Sequence, residues 1–252
     1  MLRAENITVG YREKPVIPSL SMTAEPGQIT VLVGPNGSGK STLLRCLARS
    51  LRPSSGSVSL SGQDIYRLSA GQAARQIAYV SQDTTAPFAF TVKEMVLLAK
   101  GGGGSLSSAE EAMHVLDLDN LADSALTALS GGEQQRAAIA RGLAQQTPCL
   151  LLDEPTAHLD LRYQSALFRA LRRRARDFNG IVVVVVHDLV LAVRNADKII
   201  LLNNGVLEAS GTVWEVITQD VLERIYKVPI RIVRKDSEIV SVLPDADDLT
   251  FS

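Results

Sequence analysis

Ile29-Thr-Val-Leu-Val33-Gly34-Pro-Asn-Gly-Ser-Gly39-Lys40-Ser41-Thr42 is the stretch that decides the fold class. Ile29–Val33 reads as a β-strand, and an apolar helical stretch, Ser41–Ser50, follows. The eight residues from Gly34 to Ser41 fit the pattern G-x-x-x-x-G-K-[ST], in the strand–loop–helix setting that the pattern requires. Gly34, Gly37 and Gly39 let the backbone curl, so that N–H groups through Asn36 and Ser38 point at phosphate oxygens. The helix N-terminus adds a potential favourable to anions. Lys40 is suited to reach β- and γ-phosphates as a point charge, and the hydroxyl of Ser41, with Thr42 beside it, to sit at Mg²⁺. From background residue usage the octet arises by chance in about one chain of this length in a hundred, and its setting lowers that further.

Working outward, Cys149-Leu-Leu-Leu-Asp153-Glu154-Pro155 puts two acids at the tip of a buried strand. Ligands of an open parallel sheet bind at the carboxyl ends of its strands, so both acids share an edge with the phosphate loop. Asp153 suits the Mg²⁺ shell, through water, because Mg²⁺ takes oxygen ligands and keeps much of its hydration. Glu154 can face the attacking water and orient it or take its proton. Without a cation the two acids would repel each other. Gln82 follows the run Ile77–Val80, where it could contact Mg²⁺ and the water. His187 ends the run Ile181–Val186, where it could hydrogen-bond the γ-phosphate. The plainer alternatives are an acidic turn before Pro155 and a satisfied strand-end histidine. Four strand ends carrying polar residues to one edge favour the site.

Other β-rich runs lie at Ile7–Tyr11, Val58–Leu60, Leu150–Leu152 and Ile199–Leu202, and helical patterns at Glu133–Gln146, Leu161–Asp177 and Leu189–Arg194. Strand then helix, repeated, predicts an α/β phosphate-loop NTPase core with a mostly parallel sheet. The early strands and their turns predict an antiparallel β layer near the N-terminus. Between Thr91 and Leu129 two helices, Thr91–Lys100 and Ser107–Leu118, follow one another with no strand between. They predict an inserted helical subdomain, its second helix opened by a capping box at Ser107-Ser-Ala-Glu110. The chain thus reads as one domain: a core at 1–90 and 147–212, a helical subdomain at 91–146 and a C-terminal appendage at 213–252. The appendage has a short helix, Thr218–Tyr226, then extended residues and an acidic tail. Gly101-Gly-Gly-Gly-Ser105 has the composition of a flexible linker, native or engineered, and is expected to carry no fixed contact.

Net charge is −1, so bulk electrostatics give no reason to expect a nucleic-acid partner. The one basic run, Arg172-Arg-Arg-Ala-Arg176, reads as a solvated helix face or C-terminus. Cys46 and Cys149 lie in apolar stretches and read as small buried hydrophobes of a reducing compartment, not as a disulfide. No secretory signal and no apolar run of about 20 residues is present, so a cytosolic chain is expected, free to dock on a membrane protein.

A second anion-suited turn, Leu129-Ser-Gly-Gly-Glu-Gln-Gln-Arg136, opens the helix from Glu133. With the phosphate loop, Gln82, Asp153-Glu154, His158-Leu-Asp160 and His187 in that order, the chain resembles the ATP-binding subunits of ABC transporters over nearly its whole length. The resemblance implies an ATPase using ATP and Mg²⁺, peripheral on the cytoplasmic face of the membrane. It implies a head-to-tail pairing with a second copy, each ATP lying between one subunit's phosphate loop and the other's signature turn. Ser130, Gly131, Gly132 and Glu133 would then serve the neighbour's nucleotide, with Ser130 and the Gly132 backbone capping the γ-phosphate; an N-cap alone does not explain both glycines. Tyr11 would stack on adenine, and Asp160 would belong to the loop joining the two sites. Integral membrane permease subunits, and indirectly an external substrate-binding protein, are further implied partners. Phe88-Ala-Phe90-Thr-Val92-Lys-Glu94, Thr156-Ala-His158-Leu-Asp160 and Leu222-Glu-Arg-Ile-Tyr226-Lys-Val-Pro229 resemble the importer group for iron–siderophore, haem and cobalamin complexes. Gly101–Ser105 departs from that group, whose members carry a longer loop there. The rivals are another cargo or an exporter, a soluble protein of the same superfamily acting on ribosome or DNA, and a small-molecule kinase. The last leaves the second turn unexplained.

Overall fold

The first strands bury alternate residues, as a sheet with one packed face requires. In the computed structural model, which describes residues 1–12, 14–83, 90–236 and 238–245, β1 (Leu2–Tyr11) pairs antiparallel with β2 (Lys14–Ala24). The strand β2 was not apparent in the sequence because Pro15 and Pro18 interrupt it. It lies at the sheet edge, where a missing N–H costs no ladder bond. After β3 (Ile29–Val33) and α1 (Lys40–Leu47), β4 (Ser55–Leu60) pairs with β1, and β5 (Gln63–Asp64) closes this antiparallel layer. Next come α2 (Ala70–Gln76) and β6 (Ile77–Val80), then three helices, α3 (Val92–Leu97), α4 (Leu106–Val115) and α5 (Gly131–Ala144). The core resumes with β7 (Cys149–Asp153), α6 (Leu161–Arg176), β8 (Ile181–Val185), α7 (Leu189–Asn195), β9 (Lys198–Asn203) and β10 (Val206–Gly211). Short helices α8 (Val213–Val216) and α9 (Gln219–Tyr226) lead to a hairpin, β11 (Ile230–Lys235) with β12 (Glu238–Pro244).

The main sheet has the order β10-β9-β3-β8-β7-β6, parallel except for β10. Every residue of β3, β7 and β8 is buried, as strands covered on both faces must be. Their side chains alternate between two cores. Leu32, Leu151, Val183 and Val185 face α1 and the antiparallel layer; Val31, Val33, Leu150, Leu152, Val182 and Val184 face the other helices. Each such residue contributes about 1.5–3 kcal/mol of hydrophobic stabilisation. Cys46 and Cys149 are buried free thiols, and burial alone pushes Cys149 up to about 12. No helix among the described residues is long and apolar enough to cross a membrane.

Two sequence expectations are corrected here. The box that opens α4 is Ser105 with Ser108, not Ser107 with Glu110: Ser105 Oγ accepts from Ser108 N–H at 3.0 Å, and Ser108 Oγ from Ser105 N–H at 2.8 Å. The segment Gly101–Ser105 is therefore not free of fixed contacts. Gly104 N–H donates to Ala99 at 3.1 Å, and a Cβ on Gly104 would lie 2.3 Å from the Ala144 carbonyl. Its glycines are what let this turn pack on the end of α5. At the C-terminus, the extended residues form the hairpin β11–β12, whose Ile230, Ile239 and Val242 join the core on the α7 side. Phe88, Ala89 and the tail beyond Asp245 lie outside the described residues.

Candidate nucleotide-binding and hydrolysis site

Gly34 turns the chain sharply out of β3 at φ +147°, and a Cβ there would lie 2.0 Å from the Leu202 carbonyl of β9, so no other residue fits. Asn36 and Gly37 are exposed at the tip of the loop, while Ser38, Gly39, Lys40 and Thr42 are buried. Gly39 is the N-cap of α1 and supplies no side-chain cap, which leaves the leading amides of that helix for an anion. The Ser38 carbonyl accepts from Gly205 N–H at 2.9 Å, so the β9–β10 turn braces the loop. Ser38 Oγ is buried with no hydrogen-bond partner among the described residues, an orphan in a position where a phosphate oxygen would satisfy it. Lys40 Nζ donates to the carbonyls of Gly34 at 2.8 Å and Pro35 at 2.9 Å. Its burial lowers its pKa, while Glu154 and Asp153 act to raise it.

The ends of β7 and β8 supply the rest. Asp153 is fully buried; Ser41 Oγ donates to one carboxylate oxygen at 3.0 Å and the Tyr79 hydroxyl to the other at 3.4 Å. Burial raises its pKa, opposed by the Ser41 bond. One residue on, Glu154 adopts a left-handed conformation (φ 50°) that turns its side chain away from that of Asp153. Gln82 Nε2 donates to one oxygen of its carboxylate at 2.8 Å, and His187 Nε2 pairs with the other. Two adjacent acids thus have separate environments, the condition under which they take separate roles.

The structure therefore brings Ser41 and Asp153 together, and separately gathers Gln82 and His187 on Glu154. Tyr11 is 45% exposed, enough to offer a ring face, and its hydroxyl accepts from Arg45 at 3.0 Å. Ser130, Gly131, Gly132 and Glu133 form the first turn of α5, closed by a capping box in which Glu133 accepts from Ser130 N–H at 2.8 Å. That turn bonds within itself, not to the phosphate loop. Gly132 has a reason inside the fold, since a Cβ on it would lie 2.8 Å from the His158 carbonyl, whereas Gly131 faces open space. Asp160 is the N-cap of α6 and accepts from Tyr163 N–H at 3.1 Å. Sequence reasoning missed Arg45 and Tyr79. Arg45 bonds both Tyr11 and Tyr79, which chains the exposed ring to Asp153. The signal was the alternation of β6, which turns Tyr79 with Ile77 toward α1.

An edge that cradles anions beside one buried and one accessible carboxylate is the equipment of a phosphate-loop nucleotide hydrolase. Comparison with known proteins narrows this. The ABC transporter family profile matches residues 17–157, and the chain belongs to that family, as one of its ATPases. It is 37% identical to the hemin import ATP-binding protein HmuV of Rhizobium meliloti (strain 1021), over 98% of this chain and 99% of that one. With the ferric enterobactin transport ATP-binding protein FepC of Escherichia coli (strain K12) it shares 38% identity, over 89% of this chain and 86% of that one. Among solved structures, an inward-facing metal-chelate type ABC transporter superimposes with a TM-score of 0.79 at 28% identity, covering 97% of both chains. The dimeric cassette MJ0796 bound to ADP and Pi does so with 0.77 at 27% identity, covering 84% of this chain and 99% of that one.

Proposed function

We propose that this chain is the ATP-hydrolysing subunit of an importer for a metal chelate of the hemin, siderophore or cobalamin type. The observation that carries the catalytic part is the Glu154 carboxylate, held between Gln82 and His187 one residue beyond the Ser41–Asp153 pair. The names of the relatives, hemin import and ferric enterobactin transport, support the cargo.

In this reading Lys40 exchanges the Gly34 and Pro35 carbonyls for phosphate oxygens, the orphan Ser38 hydroxyl gains a partner, and Tyr11 stacks on adenine. Glu154 orients the attacking water and takes its proton, with His187 against the γ-phosphate and Gln82 at Mg²⁺ and the water. Ser41 and Asp153, with Gln82, would hold Mg²⁺; both observed donors are the hard oxygens that ion prefers, and two suffice where phosphates complete the shell. Bound there, it would neutralise charge on the phosphates. Ser130, Gly131, Gly132 and Glu133 face the nucleotide of a second copy, paired head to tail, and Asp160 lies in the loop that joins the two sites. The subunit sits on the cytoplasmic face of the membrane against separate permease subunits, with a substrate-binding protein outside and no nucleic acid involved. Residues 1–90 and 147–212 form the nucleotide core, 91–146 the helical subdomain that meets the permease, and 213–252 the appendage. Binding energy becomes transport work through the different affinity of the permease's two states for closed and open pairs.

Glu154→Gln tests this. Hydrolysis is expected to fall at least about 100-fold while ATP binding persists. Multiple-turnover phosphate release by the variant would remove Glu154 from the role. Purification from detergent-solubilised membranes tests the partner: a multi-span protein is expected with the chain, and ribosomes or DNA in its place would overturn the importer reading.

A further inference from the structure

The helices α4, α5 and α6 line an open cavity of about 280 Å³, none of whose lining residues belongs to the nucleotide site. Its walls are apolar, with Ala112 and Val115 from α4, Leu143 from α5, Ala170 from α6 and the ring of Phe178. Its charged groups are three arginines, Arg169, Arg173 and Arg174, and one carboxylate, Glu111, with Ser108 and Gln146 beside them. Arg169 and Arg173, four residues apart, lie on one side of α6.

The basic run at 172–176 forms the C-terminal turn of α6, as one of the two sequence readings expected, and its arginines divide between two sides. Arg172 bonds Asn195 at 3.1 Å and Arg176 pairs with Asp197 at 2.9 Å, on the α7 side. Arg173 and Arg174 turn the other way, into the cavity, with their guanidiniums 5.6 and 5.7 Å from the centre of the Phe178 ring. Arg173 pairs with Glu111, and Arg174 donates to the Thr147 carbonyl. Arg169 has no hydrogen bond or ion pair among the described residues. Phe178 is 54% exposed, so part of its ring is open beside these guanidiniums. Gln146, also lining the cavity, closes the C-terminus of α5 in a left-handed conformation (φ 51°) and has an exposed side chain.

We propose that this cavity binds a small amphipathic acid, one anionic head group on a flat apolar body. Arg169 takes the head, with Gln146 as a further donor, and the body lies against Phe178 and the Val115–Leu143 wall. The volume stands just under the range of about 300–1,000 Å³ usual for small-molecule pockets, which limits the body to one or two fused rings or a short chain. Planar guanidinium recognition of carboxylate, phosphate or sulfonate supplies the selectivity for charge. The site does not overlap the phosphate loop, so its occupant does not compete with nucleotide.

The probe is naphthalene-1-sulfonate, titrated by equilibrium dialysis into the full chain saturated with ADP. Naphthalene, the same rings without the sulfonate, is the control. One saturable site is expected, at least about tenfold tighter for the sulfonate, in line with a charge-assisted hydrogen bond of about 1.5–3 kcal/mol. Arg169→Ala and Phe178→Ala should each weaken it at least fivefold, and Arg172→Ala should leave it unchanged. Both target side chains are exposed, and an unchanged thermal midpoint verifies that each variant folds. Equal affinity for the two probes, several weak sites, or undiminished binding in both target variants would overturn the proposal.

Discussion

Asp153 and Glu154 are neighbours in sequence and have no hydrogen-bond partner in common among the described residues. Asp153 is buried beneath two hydroxyls, and burial holds its pKa above that of the unfolded chain. Between those two values the folded state binds more protons, so stability falls as pH rises through that window and the full penalty remains above it. Asp153→Asn removes that penalty. Its thermal midpoint without nucleotide should exceed the parent's at pH 7, by about 2–4 °C for each kcal/mol relieved, and the gap should close as pH falls toward about 4. Thermal scans across that range check it; a variant no more stable at pH 7 would mean that the Ser41 and Tyr79 bonds outweigh burial. Most of this edge was legible, because Gln82, Asp153, Glu154 and His187 each end an apolar run and the sheet rule carries them to one side. Arg45 and Tyr79 were missed, since the alternation of β6 puts Tyr79 on the side of Ile77, while which side faces α1 is a packing fact rather than a local one.

At the scale of the element, caps decide where helices begin. The box joining Ser105 and Ser108 makes Ser105 the start of α4. Ser105→Ala should therefore lower stability by about 1 kcal/mol. Ser107→Ala removes only an exposed hydroxyl contact at 2.9 Å and should cost less than about 0.5 kcal/mol. Urea unfolding midpoints separate the two; equal losses would argue against the cap. Sequence periodicity located α1 and α3 to α7 to within a few residues. It missed β2, whose prolines mask an edge strand, and it read the residues of β11 and β12 as extended without pairing them. The glycines of 101–105 carry the same warning. Their composition suggests looseness, yet their lack of side chains is what permits close packing against Ala144.

For the whole molecule, the two glycines of the signature turn report on different neighbours. Gly132 is pressed on its own chain, whereas a side chain at Gly131 would meet nothing within 4 Å. In the Glu154→Gln background, ATP should convert the chain to a dimer in sedimentation velocity runs. Adding Gly131→Trp should abolish that conversion without moving the thermal midpoint, because the obstructed surface belongs to the pairing and not to the fold. Persistent dimerisation would place the partner elsewhere. The contact of Gly132 with His158 has a mechanical consequence. A Cβ would lie 2.8 Å from that carbonyl, so the head of α5 and the chain entering α6 are in direct backbone contact. Glu154 stands four residues before His158. The part of the protein offered outward and the arm bearing the carboxylate thus share a hard stop, at which neither can move closer to the other.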